Sequence, residues 1–200
     1  MAAMGPVVRA IFDEHIATVE RTRDGLLGDV VDLAQDLGDA LERGGKLVVF
    51  GNGGSAADAQ HFAAELVGRF VRPRGPLPAI ALSTDTAVLT AIANDFDYEE
   101  VFARQVGAHV REGDMVVAIS TSGQAENVVR GAEAARASGA RTWGLTGAGD
   151  GRLGASVDRC LRVPSSVTAR TQEVHLTIIH AVCELVDARV AARQGVGGTA

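Results

Sequence analysis

The sequence is short of aromatic residues, cationic runs, cysteines and long apolar stretches, and each shortage narrows its chemistry. Phe, Trp and Tyr make up only 4% of the 200 residues, against 24 glycines and many alanines. That balance favours closely packed helices and glycine turns over an aromatic-rich binding face. The formal charge is -6 with no basic run to offset it, so no direct nucleic-acid partner is expected. Cys160 and Cys183 are the only cysteines and lack metal-type spacing. They are expected to be free, buried thiols in a reducing compartment. No window approaches the roughly 18 apolar residues of a membrane span, and the first residues lack a basic segment followed by an apolar core. The expectation is a cytoplasmic protein with no membrane partner.

What remains is the composition of a globular domain, 46% hydrophobic and 22% charged, with enough chain to bury one substantial core. Apolar positions recur at helical spacing from about Val7 to Arg43, with Gly25 and Gly28 near the middle. Two helices or one broken helix both satisfy that pattern, and residues 1–44 read as an amphipathic arm that packs on something, another subunit included. Five short apolar runs follow, at 46–50, 78–82, 115–119, 141–145 and 157–163, alternating with helical stretches. The VRPRGPLP segment, with three prolines, forbids regular structure between the first two. Near-continuous apolar strands alternating with helices indicate a parallel sheet covered on both faces. The fold class is therefore α/β, a flavodoxin-like, doubly wound, five-stranded parallel sheet over 45–193, closed by a long helix from Thr168. Gln194 to Ala200 reads as a frayed tail.

Two polar turns fall at the carboxyl ends of strands, where ligands bind in such sheets. The first is Gly51-Asn52-Gly53-Gly54-Ser55 and the second Ser120-Thr121-Ser122-Gly123. The first matches neither GxGxxG nor a P-loop. Together, their hydroxyls and exposed N–H groups suit three phosphate oxygens at a helix start. Behind the first turn, His61 and Glu65 share a helix face at i, i+4. The last helix adds Gln172, Glu173, His175 and His180. Gln172 and His180 lie within about 80° around its axis but about 12 Å apart along it, so one ion shared between them is geometrically tight. His175, a turn from Gln172, is a candidate support for the site, and Arg69 a candidate phosphate or sugar contact. His15 and His109 read as structural or solvated, Trp143 as core, and Asp58 as a helix cap or solvated acid.

The segments GNGGSAADAQHFAAEL, ANDFDYEEVFARQV, AISTSGQAENV and RTQEVHLTIIH resemble the sugar-isomerase (SIS) domain proteins of the phosphoheptose isomerase type, over about residues 8–190. The resemblance implies a single SIS domain and a homotetramer with its N-terminal helices and active sites at subunit contacts. It implies conversion of sedoheptulose 7-phosphate to D-glycero-D-manno-heptose 7-phosphate, toward activated heptose. It places one zinc per subunit on His61, Glu65, Gln172 and His180, with Glu65 and His180 as the acid/base pair. Substrate contacts fall on Asn52, Gly53, Gly54, Ser55, Glu65, Asn94, Asp95, Ser120, Thr121, Ser122, Ala125 and Gln172. Ala169 and Ala125 depart from the aspartate and serine that several heptose isomerases carry there, so another phosphosugar is an alternative. LPAIALSTDTAVLTAIAND and TARTQE are also similar to a non-catalytic branch that associates with a bacterial replication initiator. That branch lacks the counterparts of Glu65 and His180; both are present here, which favours an enzyme.

Overall fold

The computed structural model describes residues 4–149 and 151–193. Five strands, β1 (Leu47–Gly51), β2 (Ala79–Ala81), β3 (Met115–Ile119), β4 (Arg141–Thr146) and β5 (Arg159–Arg162), form one parallel sheet of order β2-β1-β3-β4-β5. Its helices are α1 (Met4–Glu42), α2 (Gly54–Val67), α3 (Thr86–Asp95), α4 (Val101–His109), α5 (Glu126–Ala137), the short α6 (Leu153–Ser156) and α7 (Thr168–Arg193), with a 3-10 turn at Tyr98–Glu100. The chain leaves β1 toward one edge and returns to build the other from β3 onward, so the direction reverses between β1 and β3.

Strand side chains alternate between two cores, as the period of two requires. Leu47 and Val49 of β1, with Met115, Val117 and Ile119 of β3, join Phe62, Leu66, Val182 and Trp143 under α1, α2 and α7. Val48 and Phe50, with Val116 and Ala118, join Phe102, Val106, Val128 and Ala132 under α4 and α5. Both faces of the sheet are dry, hence the near-continuous apolar runs.

The arm is a single helix of 39 residues that passes through Gly25 and Gly28 unbroken. Each glycine costs about 1 kcal/mol there. Burial of Leu33 and Leu37, and a row of acids facing cations elsewhere in the chain, offset that cost. Arg159 pairs with Asp29 and Asp32, Arg141 and the Trp143 Nε1 donate to Asp36, and Arg189 pairs with Asp39 and Glu42. The C-terminal half of the arm thus packs on its own chain, and Trp143 is wholly buried as expected. On the first turns Met4, Val7, Val8, Ile11, Phe12 and Ile16 stay exposed.

The last strand is shorter than the 157–163 run, because Val157 turns into the α6 side of the core. The tail at 194–200 lies outside the described residues. Among the described residues no helix is long and apolar enough to cross a membrane. Both thiols are free; Cys183 is buried, which pushes it up to about 12, and Cys160 is half-buried.

Candidate active site

The two polar turns meet at the reversal point. Asn52 and Ser55 from the first, Ser120, Thr121 and Ser122 from the second, and Ile119, Ala125 and Gln172 enclose a cavity of about 150 Å³. Gly53 makes the first turn possible: it sits at φ 55°, a region that L side chains rarely adopt, as the N-cap of α2. Gly54 leaves room for the ligand side of α7, since a Cβ there would lie 2.2 Å from the Gln172 Nε2. The second turn is braced from within. The Gly123 N–H donates to the Ser120 carbonyl and Oγ at 3.0 and 3.2 Å, the Gln124 N–H to the Ser122 Oγ, and the Gly147 N–H to the Thr121 carbonyl. Neither α2, capped by Gly53, nor α5, capped by Ala125, has its first-turn N–H groups satisfied by the cap side chain. The Ser55, Ala56 and Ala57 N–H groups of α2 go instead to the Asn52 and Gly53 carbonyls, and the Val128 and Val129 N–H groups of α5 to the Ala125 carbonyl. The cavity still lies at two helix starts, whose positive dipole ends suit an anion.

About two turns further along α2, His61 stands between two partners. Its Nε2 is 2.8 Å from the His180 Nε2 and 3.3 Å from the Glu65 Oε1. Phe70 lies against the His180 ring at 5.3 Å. The i, i+4 spacing on α2 brings Glu65 to His61, and the packing of α2 on α7 brings His180. Gln172 lies on the cavity side, against Gly54, and among the described residues no hydrogen bond joins it to His61, Glu65 or His180. Among the described residues no three His, Cys, Asp or Glu side chains are grouped as a metal-ligand set.

Asn94 and Asp95 are exposed at the end of α3, bonded to each other at 2.8 Å, and do not line the cavity. Arg69 is exposed and donates to the Phe70 carbonyl. His175 is fully buried; its Nε2 meets the Thr146 carbonyl at 3.2 Å, its Nδ1 has no partner, and burial lowers it to about 4. It supports the turn after β4, not the His61 group. His15 pairs with Glu173 at 2.7 Å, and His109 is exposed at the end of α4. Asp58 neither caps nor fully solvates α2: its Oδ2 is buried without a partner, and burial raises it to about 6. Ala169 is exposed at the start of α7, away from the cavity.

Two groups escaped the sequence reading. Arg74, in the proline segment, and Asp187, on α7, form an ion pair at 2.5 Å with both side chains fully buried. Arg74 also donates to the Leu66 and Glu65 carbonyls, which ends α2 just where Glu65 sits. Asp187 accepts the Val71 and Arg72 N–H groups. Asn127 and Tyr98 bond to Asn52. An arginine followed by glycine in a proline segment, and the asparagine of AISTSGQAEN, were the available signals.

Fold and site together define a doubly wound α/β protein with a hydroxyl-lined anion cavity at the sheet's reversal point and a carboxylate with two imidazoles beside it. The SIS domain model matches residues 11–147. The chain is 54% identical over 182 residues to the phosphoheptose isomerase of Roseiflexus sp. (strain RS-1), covering 90% of this chain and 92% of that one. The solved phosphoheptose isomerase of Neisseria gonorrhoeae matches with a TM-score of 0.88 at 41% identity, over 93% of this chain and 100% of that one. That of Francisella tularensis gives 0.90 at 36%, over 93% and 99%. The chain belongs to the phosphoheptose isomerase family of SIS domain proteins.

Proposed function

We propose that this protein interconverts sedoheptulose 7-phosphate and D-glycero-D-manno-heptose 7-phosphate in the cytoplasm, at the start of activated-heptose biosynthesis. The observation that carries this is the pairing of the anion cavity with the Glu65, His61 and His180 group, in a chain so similar to named phosphoheptose isomerases. The residues Asn52, Gly53, Gly54, Ser55, Ser120, Thr121, Ser122, Ala125 and Gln172 hold the substrate's phosphate and sugar oxygens, and Asn94 and Asp95, which do not line this cavity, would reach a substrate only across a subunit contact. Glu65 takes a proton from C1 of the ketose and returns it to C2, while His180 moves the hydroxyl proton from O1 to O2. A carboxylate and an imidazole are matched to those two transfers near neutral pH.

The residues that would hold one zinc per subunit are His61, Glu65, Gln172 and His180. Two imidazole nitrogens and a carboxylate oxygen are donors that zinc accepts, and the His61 Nε2 lies 3.3 Å from the Glu65 Oε1 and 2.8 Å from the His180 Nε2. Bound zinc supplies positive charge that polarises a carbonyl. The protein is a single SIS domain with residues 1–44 as its arm, and the exposed apolar side chains on the first turns of α1 support a homotetramer.

Incubation with sedoheptulose 7-phosphate and zinc, followed by detection of the aldose phosphate, tests the activity. Absence of turnover overturns it, and a panel in which another phosphosugar reacts far more efficiently reassigns the substrate.

A further inference from the structure

Asn52 lines the cavity, yet nearly all of its amide is spent inside the protein. Its Oδ1 accepts from the Asn127 Nδ2 at 2.9 Å and from the Tyr98 hydroxyl at 3.1 Å, which fills both lone pairs. Its Nδ2 donates to the Asn127 Oδ1 at 2.8 Å. One N–H is left, with no partner among the described residues.

The two partners are themselves fixed. Asn127 is buried in the first turn of α5. Tyr98 is 56% exposed, an unusual position for a side chain with a single defined bond, but its backbone is clasped on both sides. The Asp97 side chain accepts from the Glu99 N–H, capping the 3-10 turn. Arg130 of α5 then pairs with Glu99 and Glu100 at 2.6 Å each and with Glu126 at 3.1 Å. The turn carrying Tyr98 is thus pinned to the helix carrying Asn127, and both converge on one amide.

We infer that Tyr98 and Asn127 are positioning residues: bonded as they are, they hold the Asn52 amide with its carbonyl turned to them and one N–H left for the ligand. The site therefore selects an acceptor, a phosphate or carbonyl oxygen, at that point. This rests on the phosphosugar reading of the cavity. A free asparagine would turn either face to the ligand and discriminate less.

The test is a double-mutant cycle read by calorimetric titration of sedoheptulose 7-phosphate, with kcat and KM measured alongside. Tyr98→Phe weakens binding about fivefold, the worth of one hydrogen bond, with the melting temperature unchanged. In an Asn52→Ala background the same substitution changes binding by less than twofold, because there is no amide left to position. A purely structural role would give equal losses in both backgrounds, and that result overturns the inference, as does a Tyr98→Phe protein that binds like wild type. Asn127→Asp, which keeps the size but not the donor, shows the same dependence on Asn52; where it misfolds, the Tyr98 cycle decides alone. Wild type that binds but does not turn over the sugar phosphate overturns the isomerase reading and leaves the cycle readable. Wild type that does not bind it overturns both.

Discussion

The Nε2 atoms of His61 and His180 lie 2.8 Å apart, across 119 residues of sequence. At that distance either one ring nitrogen donates to the other or both turn their lone pairs to a common cation. Bound zinc would be that cation. Protein loaded with zinc and desalted carries about one equivalent per chain by elemental analysis, and His61→Ala and His180→Ala each lose it. Gln172→Ala, altering a residue on the cavity side, retains metal at lower affinity. A wild-type protein that retains none ends the proposal.

Glu65→Gln keeps the shape of the side chain and removes its basicity. Turnover of sedoheptulose 7-phosphate is expected to fall by about 10²–10⁴, the usual contribution of an acid–base group. Circular dichroism and melting temperature should match the wild type. Activity within tenfold of wild type assigns the proton transfer to another residue.

Gly54→Ala puts a methyl group where the Gln172 amide now lies. Because that amide ends a flexible side chain, it moves aside at little cost to stability, but it leaves the cavity. The variant is expected to resemble Gln172→Ala in kcat/KM, and the double variant to be no worse than either. Additive losses would show that Gly54 matters for another reason.

The Arg74–Asp187 pair holds the proline segment and the end of α2 to α7 with no solvent contact. Arg74→Met strands the Asp187 carboxylate and frees the Glu65 and Leu66 carbonyls, so a loss of about 3–5 kcal/mol is expected in urea denaturation. A loss below about 1 kcal/mol would mean that water reaches the pair.

Acid stability tests two buried groups with opposite signs. His175 titrates near 6.5 unfolded but about 4 folded. The unfolded chain therefore binds the extra proton between those values, and stability falls by up to about 3 kcal/mol as pH drops from about 6.5 to about 4. Asp58 is raised from 3.8 to about 6 by burial, so the folded chain holds the extra proton and stability rises as pH drops from about 6 to about 4. Wild type shows the difference of the two. Melts at several pH values should find the acid loss steeper in Asp58→Asn and flatter in His175→Gln; unchanged slopes would place both groups in contact with water.

Much of this site was visible in the sequence because it is local. GNGGS and STSG each follow an apolar run, so strand periodicity alone sets both at one edge of the sheet, and i, i+4 spacing alone joins His61 to Glu65. What could not be read depends on contacts between distant elements. Nothing near Asp58 in sequence indicates that its Oδ2 is sealed from water, and nothing in VRPRGPLP names Asp187 as the partner of Arg74. The continuity of α1 was equally hidden. Gly25 and Gly28 weaken a helix in isolation, and burial of Leu33 and Leu37 together with the cations of β4, β5 and α7 offsets that weakness.

Gln172, His180 and Asp187 all ride on α7, and a helix is a ruler with fixed graduations. Eight residues at 1.5 Å set about 12 Å between the backbone of Gln172, at the cavity, and that of His180, at His61. One inserted residue would turn everything after it by about 100° and tear Asp187 from Arg74. Reach is therefore locked to the architecture: a descendant of this chain can exchange the side chains that touch a sugar, but it cannot readily accept a substrate of a different length.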